Sequence, residues 1–316
     1  AEGTIDIQYM AKIGDAACLI GNRPKKTAPK NPAATGEEVD RLLFELTTHC
    51  QAGASIVNTG MKGVSRLHET RVQISDRAGE QQMAYIMEDH RITDVVVVPG
   101  MDEATQTDSV DALYDIRRVI GALRNIPHVN AVRLRSMKLA TTPDAYTRGV
   151  INTLGELNHL SVVNPLRLEI ETWFVRAQDV GAAHAPLVRR LNNKGITVYA
   201  NVPLLGGVND RDRAIHDLAY ALREKGIEFH HLYVAGLPVQ NGWNKNFPID
   251  SYDVVDIATM VRREGSGREI PRYIISTPLG EVDYGLTAEF VKTGKEVKIK
   301  LGCYDESYYK TMDENF

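Results

Sequence analysis

Cysteine is nearly absent. Cys18, Cys50 and Cys303 are the only thiols in 316 residues, too few and too scattered for a disulfide framework or a CxxC metal knuckle. That scarcity fits a reducing cytoplasm. Long apolar runs are missing as well: none approaches the roughly 20 residues a membrane helix needs, and Ala1-Glu2-Gly3-Thr4-Ile5-Asp6 lacks the basic and apolar regions of a signal peptide. The sequence therefore predicts a soluble chain with no membrane partner. Nor does one sign of charge dominate. The 37 Lys and Arg against 41 Asp and Glu give a net charge of -4, which supplies no broad electrostatic footprint for nucleic acid. No Ser-His-Asp arrangement or nucleophilic-cysteine motif is legible.

What the sequence does hold is a repeating α/β pattern. With 43% hydrophobic and 25% charged residues, a chain of this length buries a full core, and one α/β barrel is the expected architecture. Short apolar runs predict strands at Leu42 to His49, Asp94 to Pro99, Ala131 to Ser136, Leu166 to Phe174, Thr197 to Leu204, Glu228 to Ala235 and Tyr273 to Thr277. Between them, apolar residues at three-to-four spacing predict helices over Asp76 to His90, Ser109 to Asn125, Pro143 to His159, Ala182 to Lys194, Asp212 to Lys225 and Ser251 to Arg263. Thr142-Pro143-Asp144 reads as a helix start, and Gly195 and Gly226 read as C′ glycines. Residues 1–40, with a proline-punctuated basic loop, read as an arm; residues 41–290 form the barrel; residues 291–316 add a strand at Glu296 to Leu301 and an acidic tail.

Strand alternation divides each strand into a helix-facing and an interior set. In the run from Arg167 to Phe174, Leu168, Ile170, Thr172 and Phe174 face the helices, while Arg167, Glu169, Glu171 and Trp173 face inward. By the same rule Arg133 and Arg135, Glu45, Thr47 and His49, Tyr199 and Asn201, and His231 and Tyr233 point inward. This interior is polar. Buried charges must pair, since unpaired burial costs several kcal/mol, and Arg133 and Arg135 are natural partners for Glu169 and Glu171. Either these groups satisfy one another and only hold the barrel's shape, or those near the C-terminal strand ends contact a polar ligand. If the C-terminal mouth is collapsed and filled by apolar side chains, the reading of a ligand bound at that mouth falls and the scaffold reading leads. If the chain is an enzyme, Arg135, Glu171, Asn201 and His231 are the residues assigned to chemistry.

Three further features invite functional readings. His230-His231 suggests a metal pair, but adjacent strand residues point to opposite faces and cannot chelate one ion together. Gly206-Gly207 suggests a phosphate-binding turn or, equally, tight-turn geometry. The polar, aromatic segment Val239 to Pro248 is a lid over a ligand through Trp243 or Phe247, or a loop packed on the tail.

Several stretches together resemble the lysine 2,3-aminomutase family of radical S-adenosylmethionine (SAM) proteins. Pro203-Leu204-Leu205-Gly206-Gly207-Val208-Asn209-Asp210 is similar to the family's LLxGVND. Asp94 to Asp102, DVVVVPGMD, is similar to DVLLSGGD, and Ile126 to Ser136 resembles IPHVxxVRIGSR. Ile270 to Ile275 resembles a late strand that leads into the family's pyridoxal phosphate (PLP) loop. The likeness runs in consistent order from about residue 41 to 285. It implies an α/β fold with a partial (β/α)6-type TIM-like barrel of parallel strands, SAM, a [4Fe–4S] cluster, and an amino-acid-like substrate.

The implied functional positions are largely replaced. Cys50 matches the first cysteine of CxxxCxxC, but Ala54 and Val57 stand at the next two positions, and neither has a ligand atom. The PLP lysine has no counterpart in Ser276 to Asp283. The aspartates for the substrate's distal amine align with Gly236 and Ser276, and the SAM-carboxylate arginine with Met137. Cys50, Asp102 and Glu103 are what remains of the cofactor shell. The sequence thus leaves three readings: a barrel that binds a small polar ligand, an amino acid or SAM-like molecule, at its C-terminal mouth; a non-catalytic scaffold or partner subunit; and an active enzyme with non-standard cluster ligation. Covalent PLP is not expected, and oligomeric state stays open.

Overall fold

The computed structural model describes residues 32–52, 61–99, 108–161, 165–211, 213–249, 251–277, 280–284, 288–293 and 296–301. Its centre is a nine-stranded sheet in the order β1 (Val64–His68), β2 (Arg71–Ser75), β3 (Asp94–Val98), β4 (Ala131–Arg135), β5 (Arg167–Trp173), β6 (Thr197–Pro203), β7 (Glu228–Ala235), β8 (Arg272–Thr277) and β9 (Gly280–Asp283). Strands β2 to β8 are parallel, and β1 and β9 flank them antiparallel. The sheet curls into a half-barrel whose edges β1 and β9 come into contact. Strands β10 (Ala288–Thr293) and β11 (Glu296–Leu301) form a separate hairpin.

The described α-helices are α1 (Gly36–Ala52), α2 (Glu80–Glu88), α3 (Leu113–Leu123), α4 (Lys138–Thr141), α5 (Arg148–Leu157), α6 (His184–Asn192), α7 (Ala214–Glu224), α8 (Pro238–Trp243) and α9 (Ser251–Glu264), with short 3-10 turns at Pro143–Ala145, Ala177–Asp179 and Gly267–Glu269. The main core lies between the sheet's outer face and the crossover helices. Val132 and Leu134 of β4, Leu168 and Ile170 of β5, and Val198, Ala200 and Val202 of β6 meet Ile116 and Ile120 of α3, Leu154 of α5 and Leu187 of α6. Gly195 and Gly226 carry φ of +72° and +78° after α6 and α7, the left-handed geometry expected of C′ glycines.

Every expected strand from Asp94 onward forms, but the first does not. Residues 42–49 belong to α1 instead. Val39, Leu42 and Leu46 are buried at helical spacing, and Thr35 and Glu38 close a capping box: the Thr35 amide donates to Glu38 Oε2 at 2.8 Å, and the Glu38 amide donates to Thr35 Oγ1 at 3.3 Å. The parallel sheet starts at β2, whose Arg-Val-Gln-Ile-Ser pattern is too short and too polar to stand out as a run. The helix expected from Pro143 begins at Arg148, capped by Thr147, whose Oγ1 accepts from the Val150 amide at 3.3 Å; Pro143–Ala145 is a separate 3-10 turn. Residues 1–31 and the tail beyond 301 lie outside the described residues, as do Cys18, Cys303, Ala54 and Val57.

Candidate functional site

The inward faces of β2, β4 and β5 carry a belt of paired charges. Arg133 donates from Nη2 and Nε to Glu169 Oε2 at 2.9 and 3.1 Å. Arg135 donates from Nε to Glu171 Oε1 at 2.6 Å and from Nη1 to Gln73 Oε1 at 3.1 Å. Arg133 Nη1 also lies 3.7 Å from Glu171 Oε2. Arg135 and Glu171 are only 7% and 4% exposed, so this is a buried network and not a solvated mouth. The strand register that places Arg133 beside Glu169 and Arg135 beside Glu171 is the one strand alternation predicts. Burial alone would raise the Glu171 carboxyl, but the flanking Arg135 and Arg133 hold it down at about 2.

A second belt follows on β6 and β7. Tyr199 stacks under the Arg133 guanidinium, 4.7 Å from ring centroid to Cζ, and its hydroxyl donates to Glu169 Oε1 at 3.5 Å. The Tyr233 hydroxyl donates to Glu281 Oε1 at 2.5 Å, and Glu281 also pairs with Arg71. That pair links β2 to β9 across the sheet's two ends. Arg71, Gln73 and Glu281 escape a sequence reading, because they sit on the two short strands that carry no apolar run.

His230 and His231 overturn the expectation of opposite faces. The β6–β7 register steps from Ala200↔Phe229 to Asn201↔His231, so His230 is the extra residue of a β-bulge, which re-aims its side chain. The two rings lie 3.8 Å apart, centroid to centroid, with Tyr199 4.9 Å beyond His230. Burial lowers both imidazoles: His230 falls to about 3 with help from Arg133 and Arg71, and His231 falls well below its usual value with help from His230 and Arg71. Neutral rings beside two guanidiniums are poor company for a cation. No group of three metal-ligating side chains occurs among the described residues.

The site residues named from sequence therefore divide. Arg135, Glu171, Asn201 and His231 share the interior. Trp173, Asn201 and His231 lie at one level, in register on β5, β6 and β7. All three are buried, and Trp173 Nε1, Asn201 Oδ1 and His231 Nε2 have no hydrogen-bond partner among the described residues. Cys50 lies in the last turn of α1. Asp102 and Glu103 are outside the described residues, so whether the interior groups converge on Asp102 is outside them too.

Above this level the mouth is apolar. Leu42 and Leu46 of α1 seat on Met137, Trp173, Val175, Leu205, Tyr233, Val239 and Ile274, so α1 covers the C-terminal strand ends; the open polar mouth expected to hold a ligand is filled by apolar side chains, and a ligand at the mouth itself is not supported. The turn after β6 is closed by its own side chains. Asn209 accepts from the Leu205 amide at 2.8 Å and donates to Val175 and Pro203 carbonyls at 3.0 and 2.9 Å, while Asp210 accepts from the Gly207 amide at 2.8 Å. The Gly206 amide donates to Asn244 Oδ1 at 3.0 Å. With both glycine amides engaged, the turn offers no phosphate cradle. Trp243 stacks on Phe247 at 4.9 Å and donates from Nε1 to the Gly206 carbonyl at 3.0 Å; in this arrangement the segment packs on the turn.

No family model matches the chain. It is 24% identical to the glutamate 2,3-aminomutase of Clostridioides difficile over 293 residues, covering 90% of this chain and 63% of that protein. It is 21% identical to the L-lysine 2,3-aminomutase of Fusobacterium nucleatum over 302 residues, 90% of this chain and 66% of that one. A putative L-lysine 2,3-aminomutase of Aquifex aeolicus is 23% identical over 182 residues, 57% and 48% of the two chains. The chain spans less than two thirds of the length of each. This half-barrel chain is thus similar at low identity, over most of its length, to proteins named glutamate and lysine 2,3-aminomutase.

Proposed function

We propose that this chain is an aminomutase-like barrel that holds a small polar molecule in its interior, beneath α1, without the cluster or PLP chemistry that its resemblance implies. One observation carries the reading: Trp173 Nε1, Asn201 Oδ1 and His231 Nε2 are buried at one level of the barrel with no protein partner among the described residues. Each such group costs about 1–3 kcal/mol if left without a hydrogen bond. Three together on adjacent strands call for a common partner.

The donor set does not fit a [4Fe–4S] cluster. Cys50 is the one thiol in the frame, and Ala54 and Val57 supply no ligand atom. PLP fares no better, since no lysine lies between Lys245 and Lys292 to form the Schiff base after β8. A second reading, a scaffold that binds a partner chain, is supported by the apolar seat of α1 over the mouth and by the pairing of each interior arginine with a glutamate.

Ligand-observed NMR with a set of small polar fragments of all charge types separates the two. The interior-ligand reading expects fragments that bind the wild type and are lost in Asn201→Leu. The scaffold reading expects no fragment that distinguishes the two proteins.

A further inference from the structure

Resting on the interior-ligand reading, we propose that the group bound at the Trp173, Asn201 and His231 level is an uncharged primary carboxamide. Among the described residues, the interior arginines and glutamates are matched in pairs. Arg71 faces Glu281, Arg133 faces Glu169, and Arg135 faces Glu171, so a ligand anion or ammonium would have to break a buried pair or stay uncompensated.

The unpartnered atoms make the same selection by their chemistry. Trp173 Nε1 carries a proton and can only donate; Asn201 Oδ1 can only accept; His231 Nε2 does either according to tautomer. A carboxylate would accept from Trp173 but turn lone pairs toward the Asn201 carbonyl. An ammonium would donate to Asn201 but face the Trp173 N–H with a proton of its own. A carboxamide offers a carbonyl to the indole and an NH2 to the asparagine, and its two-sided character survives either orientation of the Asn201 amide and either tautomer of His231.

The Trp173 and Tyr233 rings pack on each other, 5.0 Å apart at 34°, and His231 meets Tyr233 edge-on at 5.7 Å, so the wall beside these atoms is aromatic.

The test uses three nearly isosteric probes, propionamide, propionate and n-propylammonium, by saturation-transfer NMR on the full chain. Wild type is compared with Trp173→Phe, which keeps an aromatic ring and removes the N–H, and with Asn201→Leu; circular dichroism checks that each variant is folded. Propionamide is expected to bind the wild type and to lose about tenfold in affinity in each variant, the effect of one buried hydrogen bond. Propionate and propylammonium are expected not to bind. Charged probes that bind as well as propionamide, propionamide that binds all three proteins alike, or no binding of propionamide would each overturn the assignment. If charged probes bind and respond to both variants, only the carboxamide falls. If no fragment of any charge binds, the interior-ligand reading falls with it.

Discussion

Arg135 and Glu171 meet at 2.6 Å inside the barrel, and both are desolvated, so removing one leaves the other's charge buried without its main partner. Arg135→Met is expected to cost about 3–5 kcal/mol, read from urea unfolding. The double variant Arg135→Met, Glu171→Leu should cost less than that single change; additive losses would show the pair to be solvated. The histidines set the acid limb of stability. In the folded chain His230 stays neutral down to about 3, whereas unfolded histidine takes up its proton below about 6.5. Between those values the unfolded state binds more protons, so stability falls as pH falls. Glu171, held at about 2 when folded, extends the loss in the same direction below the unfolded carboxyl value of about 4.3. His230→Gln should flatten the limb between about pH 6.5 and 4 in unfolding titrations; an unchanged slope would place His230 in water. Sequence alone yielded the inward phase of Arg133, Arg135, Glu169 and Glu171 because period-two alternation is a local property. It could not yield the shared face of His230 and His231, because a bulge depends on the register of the neighbouring strand.

Helix α1 shows how an element is misread. Leu42 to Leu46 includes β-compatible residues, and resemblance to a family strand reinforces that reading, yet the capping box at Thr35 and Glu38 and the buried spacing of Val39, Leu42 and Leu46 are helical signals. Leu46→Ala should destabilise the chain by about 2–5 kcal/mol, since the side chain is wholly buried against the mouth. A loss under about 1 kcal/mol would mean that α1 is not seated there. A glycine marks the end of β7: Gly236 has φ of +99°, and a Cβ there would lie 1.9 Å from the Ser276 carbonyl oxygen. Gly236→Ala should therefore disrupt the β7–β8 junction. Gly121→Ala, in the last turn of α3 with nothing within 4 Å, should stabilise by about 0.5 kcal/mol. Equal thermal shifts for the two variants would contradict the close approach at Gly236.

At the scale of the molecule, the barrel was legible because strands and crossover helices alternate with strong apolar periodicity from Asp94 to Thr277. The approach of the half-barrel's two edges was not, since it brings together Arg71 and Glu281, 210 residues apart in sequence, on strands too short to carry a pattern. The cover over the mouth was hidden for a related reason: it arises from α1 docking on strand ends distant in sequence. After anaerobic reconstitution with iron and sulfide, the protein should hold well under four irons per chain, because the CxxxCxxC frame carries one thiol. Four irons with the spectrum of a site-differentiated cluster would restore the enzyme reading. A small polar molecule beneath α1 would be visible in the electron density of a high-resolution crystal of the full chain. Density larger than a water molecule is expected within hydrogen-bond distance of Trp173 Nε1, Asn201 Oδ1 and His231 Nε2; side chains packed directly against those atoms, with no such density, would rule the interior ligand out.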